Sequence, residues 1–183
     1  MSTLPNATDV LDFWFNELEP KDWFVSSSEL DKTITFRFGD LLKSAAQSEL
    51  FTWRDSAKGR LAEVIVLDQF SRNIYRNTPK AFAQDPLALA LAQEAISLGL
   101  DQELETKQRS FLYMPFMHSE SAIIHQQAVE LFNVVGMENN YEFELKHKVI
   151  IDRFGRYPHR NDILGRSSSP EEVEFLTQPG SSF

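Results

Sequence analysis

The chain has 183 residues, no cysteine, and a formal net charge of −9. The absence of cysteine excludes thiol catalysis, thiolate metal sites and disulfides. The acidic balance argues against a nucleic-acid partner, because an acidic surface repels a phosphate backbone.

At 42% hydrophobic and 25% charged residues, the composition is that of a globular protein, read as one domain over 1–183. A chain of this length buries enough surface to stand without a metal or other staple. Fifteen phenylalanines point to an aromatic core. The opening MSTLPNATDVLDFW lacks a basic start and a long apolar run, so no signal peptide is expected. No stretch approaches the ~18 apolar residues of a membrane span. The expected setting is the cytoplasm.

Apolar spacing is helical nearly throughout. The first helix is expected over 7–15, capped by Asn6 or Thr8, and EPKDWF (19–24) reads as a loop. Ser27 or Ser28 opens a long helix to about Gln47, and Ser56 opens one that ends near Arg72. Asp85 caps the next, with Pro86 in its first turn and Gly99 just past its end. A helix from Thr106 to Tyr113 is stopped by Pro115, and another covers 118–135 before Gly136. The following helix spans 142–157, with Pro158 ending it. Ser169-Pro170-Glu171-Glu172 is a capping box that opens a short last helix. No alternating run suggests a strand. The fold class is all-α, an irregular bundle of about eight helices stacked as hairpins.

One segment occurs twice. Residues 63–72 read EVIVLDQFSR and residues 147–156 read HKVIIDRFGR. On a helix, Asp68 precedes Arg72 by one turn, and Asp152 precedes Arg156 likewise, so each carboxylate is expected to pair with its guanidinium. Both copies run into further Arg and Asn: Asn73 and Arg76 after the first; His159, Arg160, Asn161 and Arg166 after the second, with Arg153 inside it. Arginine forks match carboxylate and phosphate geometry, and histidine titrates near neutral pH. If the corners meet, Asp68, Arg72, Asn73, Arg76, Arg153, Arg156, Arg160, Asn161 and Arg166 line a pocket for a small anion. If they do not, the same pairs lock helices to loops.

The PFMHSE segment (115–120) supplies His118 and Glu120, which with His159 are the candidate proton-transfer groups. Read structurally, Ser119 caps a helix and Glu120 sits in its first turn. The spacing is not a metal signature, so no metal is expected, and no nucleotide-binding loop or nucleophile elbow implies a cofactor.

The strings LDFWF, LDQFSRNIYR, AFAQD, FLYMPFMHSE, RFGRYPHRN, LGR and SPEEVEFL resemble the domain-of-unknown-function 924 family over residues 10 to about 176. Ser71 stands where proline is common in that family. The resemblance implies a tetratricopeptide-like helical fold and transfers no activity, cofactor or catalytic residue. Function therefore stays open between a site for a small anionic molecule, with or without catalysis, a groove for an acidic peptide, and purely structural ion pairs.

Overall fold

The computed structural model describes residues 4–183, and among them every regular element is helical. Helix α1 (Ala7–Asp12) starts at a reciprocal cap: Asn6 accepts from the Asp9 amide at 3.1 Å, and Asp9 accepts from the Asn6 amide at 2.8 Å. It widens into a π turn (Phe13–Glu17) that buries Phe13 and Trp14. Helix α2 (Ser28–Ala46) buries Ile34, Phe38, Leu41, Leu42 and Ala45, a single stripe at helical spacing.

Helix α3 runs from Ala57 to Ile65, passes through a π turn (Val66–Phe70), and finishes as Ser71–Ile74. It is buried nearly all round, its charged Arg60, Glu63 and Asp68 included, so the other helices wrap it. Its start depends on Gly59, where a Cβ would lie 2.0 Å from the Trp53 carbonyl oxygen. Helices α4 (Asp85–Ser97) and α5 (Thr106–Met117) pack on it and on each other. Helices α6 (Ala122–Phe132) and α7 (Glu138–Phe154) form a hairpin beside α5, and α8 (Pro170–Leu176) comes after a short 3-10 turn at Pro158–Arg160.

The main core joins α1 to α6 through stacked aromatics. Phe38 and Phe70 have ring centroids 4.8 Å apart, and Trp14 meets Phe70 at 5.7 Å and Phe111 at 5.6 Å, edge to face. A smaller core of Ile150, Ile151 and Tyr157, with Phe154 and Phe175 packed against it, ties the end of α7 to α8.

The irregular bundle of eight helices agrees with the sequence pattern, and several boundaries differ for identifiable reasons. Pro115 does not stop α5. It removes one N–H, and the ladder resumes with the His118 amide on the Met114 carbonyl at 3.0 Å. Residues 118–121 are not helical, so α6 is capped at Ser121 rather than Ser119. Asp85 lies inside α4, whose N-cap position is Gln84, and uses its carboxylate elsewhere. Gly155, left-handed at φ 67°, ends α7 before Pro158 is reached.

Candidate functional site

Five side chains close a polar ring where the π turn of α3, the start of α4, the end of α5 and the turn after α7 meet. Asp68, fully buried, accepts from His118 Nδ1 at 2.7 Å and from Arg72 Nη1 at 3.1 Å. Arg72 forks onto both oxygens of Asp85, at 2.8 and 2.9 Å. Asp85 reaches Arg160 Nη1 at 3.5 Å, and Arg160 Nη2 donates to the His118 carbonyl at 3.0 Å. Arg160 is sandwiched between the rings of Phe82 (4.5 Å) and Tyr157 (4.6 Å). The corners at 71–76 and 156–161 thus meet through one residue each, Arg72 and Arg160, with Asp85 between them.

The electrostatics fix the protons. Burial would push the Asp68 carboxyl up, but the charge that His118 carries in acid, the charge of Arg72 and its hydrogen bonds hold it down to about 2. Burial, helped by Arg72, lowers His118 below the usual histidine value despite Asp68. Near neutrality Asp68 is therefore an acceptor, His118 is neutral, and its proton sits on Nδ1. His118 Nε2 carries the lone pair, has no hydrogen bond to any described residue, and is not sealed from solvent. Arg160 is 6% exposed, its Nε is buried without a partner, and its bond to Asp85 is long. Its guanidinium is therefore fixed by the His118 backbone, while its unpartnered Nε is closed to solvent.

The arginines and asparagines among the other sequence candidates are engaged by side chains of this chain. Asn73 and Arg76 both bind Asp31 of α2. Arg153 binds Glu171, and Arg156 forks onto Glu172, which also accepts from the Ser169 amide. The expected Asp152–Arg156 pair does not form: Gly155 turns the chain out of α7, so Arg156 is not one helical turn above Asp152, and Asp152 pairs with Lys148 instead. Glu120 accepts from the Tyr157 amide at 2.7 Å and from Arg166 at 2.7 and 2.9 Å, while Arg166 also holds Asn161. Burial opposes it, but these bonds hold the Glu120 carboxyl below its usual range. His159 is pushed down to about 4, first by burial and then by Arg160, and its Nδ1 is buried without a partner.

Sequence reasoning missed several members. Asp85 looked like a helix cap and is the bridge between the two arginines. Tyr157 and Phe82, which the sequence did not single out, form the walls around Arg160. Most of all, three of the chain's four histidines crowd around Tyr157: His125, His147 and His159 have ring centroids 6.2, 5.7 and 5.5 Å from it. His125 and Glu144 are 19 residues apart on two helices and touch at 2.6 Å. No linear spacing signals that pairing. Among the described residues, no group of three or more His, Asp or Glu is placed to hold a metal ion. Two surface hollows lie elsewhere, one of about 440 Å³ beside Asn6, Asp9 and Arg37, and one of about 260 Å³ between α2 and Tyr75.

The DUF924 family, described as bacterial protein of unknown function, matches residues 10–180. The chain belongs to this family. A solved structure of another protein of unknown function, from Agrobacterium tumefaciens, is 40% identical to this DUF924 member and superposes with a TM-score of 0.89. The match covers 93% of this chain and 96% of that one. No curated protein matches. Among the described residues, no helix is long and apolar enough to cross a membrane.

Proposed function

We propose that this DUF924 member acts on a small anionic molecule, with His118 as the proton-transfer group. One observation carries the reading: a fully buried, ionised Asp68 grips Nδ1 of a neutral imidazole whose Nε2 is left without a partner. A carboxylate on one nitrogen fixes the tautomer and stabilises the imidazolium that forms when the other nitrogen takes a proton. Arg160 is fixed beside this segment by its bond to the His118 carbonyl, and its positive charge favours an anionic group of a substrate, or negative charge developing on it, nearby. Arg72 binds both Asp68 and Asp85 and serves to hold the ring.

The test uses diethyl pyrocarbonate, which acylates unprotonated imidazole, with each histidine followed by peptide mass spectrometry. His118 is expected to react fastest of the four, more slowly in Asp68→Asn, and more slowly when orthophosphate or succinate is present. Equal rates for His118 and His159, unaffected by either anion or by Asp68→Asn, would remove His118 as the working group.

A further inference from the structure

The last carbonyls of α5 have no partners within the helix, as at any helix C-terminus. Here the Met117 carbonyl and the next two beyond the helix, those of His118 and Ser119, are taken by buried side chains from elsewhere. The Met117 oxygen accepts from the Tyr157 hydroxyl, the His118 oxygen from Arg160, and the Ser119 oxygen from His125 Nε2 at 2.8 Å. Glu120 then accepts from the Tyr157 amide. The backbone that carries His118 is held on every side, and the His125 contact is the one whose strength depends on a proton.

Hydrogen-bond chemistry dictates where that proton sits. A carbonyl only accepts, so the contact with Ser119 requires hydrogen on His125 Nε2. The Tyr157 hydroxyl already donates to Met117, so at 3.2 Å it too can only accept from Nε2. The opposite ring nitrogen, Nδ1, lies 2.6 Å from Glu144 Oε1, and a contact that short needs a hydrogen between the two atoms. The pair therefore holds two hydrogens over three atoms, either as imidazolium and carboxylate or as imidazole and carboxylic acid. Both residues are fully buried, and Glu144 Oε2 has no partner. Burial raises the Glu144 carboxyl above its usual value even against the pull of His125, which favours retention of the shared proton. Tyr157 from the turn and His147 and Lys148 from the next turn of α7 act on the pair directly, while Arg160, Glu120, Arg72, His118 and His159 act on Tyr157 or His147 beside it.

We propose that Glu144 and His125 form a proton-bearing clamp that positions His118 through the Ser119 carbonyl and releases it when the proton is lost. After deprotonation one hydrogen remains for two contacts. Either the Nδ1 lone pair faces the Glu144 carboxylate, or the Nε2 lone pair faces the Ser119 oxygen. Both arrangements repel inside the protein, so residues 118–121 loosen. The value of the clamp to activity rests on the reading of His118 as the working group; the clamp itself does not.

Amide hydrogen exchange of residues 117–125, corrected for the intrinsic pH dependence, and proton NMR of the imidazole region test the idea in the wild type and in Glu144→Gln. A glutamine amide donates to Nδ1 without a titratable proton, so it keeps the contact at every pH. The wild type should show a strongly downfield proton for the 2.6 Å contact. Its loss as pH rises should coincide with a fall in protection of about 10- to 100-fold, the size of one hydrogen bond to a charged group. Glu144→Gln should keep its protection flat over the same range. A His125→Gln variant should be loose at all pH values. Parallel pH profiles in the wild type and Glu144→Gln, or no downfield proton at neutral pH, would overturn the clamp. A working clamp alongside an unreactive His118 would overturn the proposed function and leave the clamp standing.

Discussion

Replacing Asp68 by Asn tests the electrostatic core of the ring. The side chain is fully buried and accepts from His118, Arg72 and Gln69. Asparagine keeps the volume but loses the charge, and its amide group opposes either the Gln69 amide or the other donors. Removing one partner from a buried charged network costs about 3 kcal/mol. For a chain of this size that is a fall in Tm of roughly 6–12 °C at neutral pH. The gap should shrink in acid. The folded carboxyl is held at about 2 against the ordinary 3.8, so its contribution is fully present above 3.8 and is lost as pH falls through 2. Integrating that difference removes ~1 kcal/mol of the gap by pH 3 and ~2 kcal/mol by pH 2. Urea unfolding of the wild type and the variant at pH 7, 4, 3 and 2 measures it directly. Other carboxylates titrate in both proteins and cancel. A gap that stays constant from pH 7 to pH 2 would show that Asp68 is not an ionised partner of His118 and Arg72.

Three further outcomes rest on named contacts. Gly59→Ala drives a Cβ to within 2.0 Å of the Trp53 carbonyl, so it should cost more than about 2 kcal/mol, whereas Gly39→Ala, with open space around it, should be neutral or slightly stabilising; thermal melts of both separate the cases. Arg156→Ala removes the part-exposed partner of the buried Glu172 carboxylate and should lower Tm while leaving the acylation rate of His118 unchanged; a large change in that rate would place Arg156 in the site after all. His159 has a folded value near 4 against 6.5, so its stabilising contribution as a neutral ring is present above 6.5 and lost as pH falls toward 4. His159→Phe should therefore flatten the stability profile between pH 6.5 and 4, and it leaves no hydrogen bond broken at the partnerless Nδ1; an unchanged slope would refute the assignment.

The helices were legible in the chain because their causes are local. Asn6, Ser27, Ser56 and Ser169 each accept from an amide two or three residues into the following helix, and apolar residues recur at helical spacing. The boundaries that escaped were set by distant groups: residues 118–121 leave the helix where Tyr157, Arg160 and His125 bind the carbonyls of residues 117–119. The repeated Asp-x-Phe-x-Arg string shows the same division. In its first copy Asp68 is buried against His118; in its second, Asp152 faces solvent beside Lys148 and Arg156 turns away to Glu172. Sequence alone determined the all-helical class, the family and the residue types from which a site is built, because propensity, capping and family strings are written in consecutive residues. Only the tertiary structure decided which charges are partners, because partners such as Asp85 and Arg160, or His125 and Glu144, are 75 and 19 residues apart and meet by packing alone.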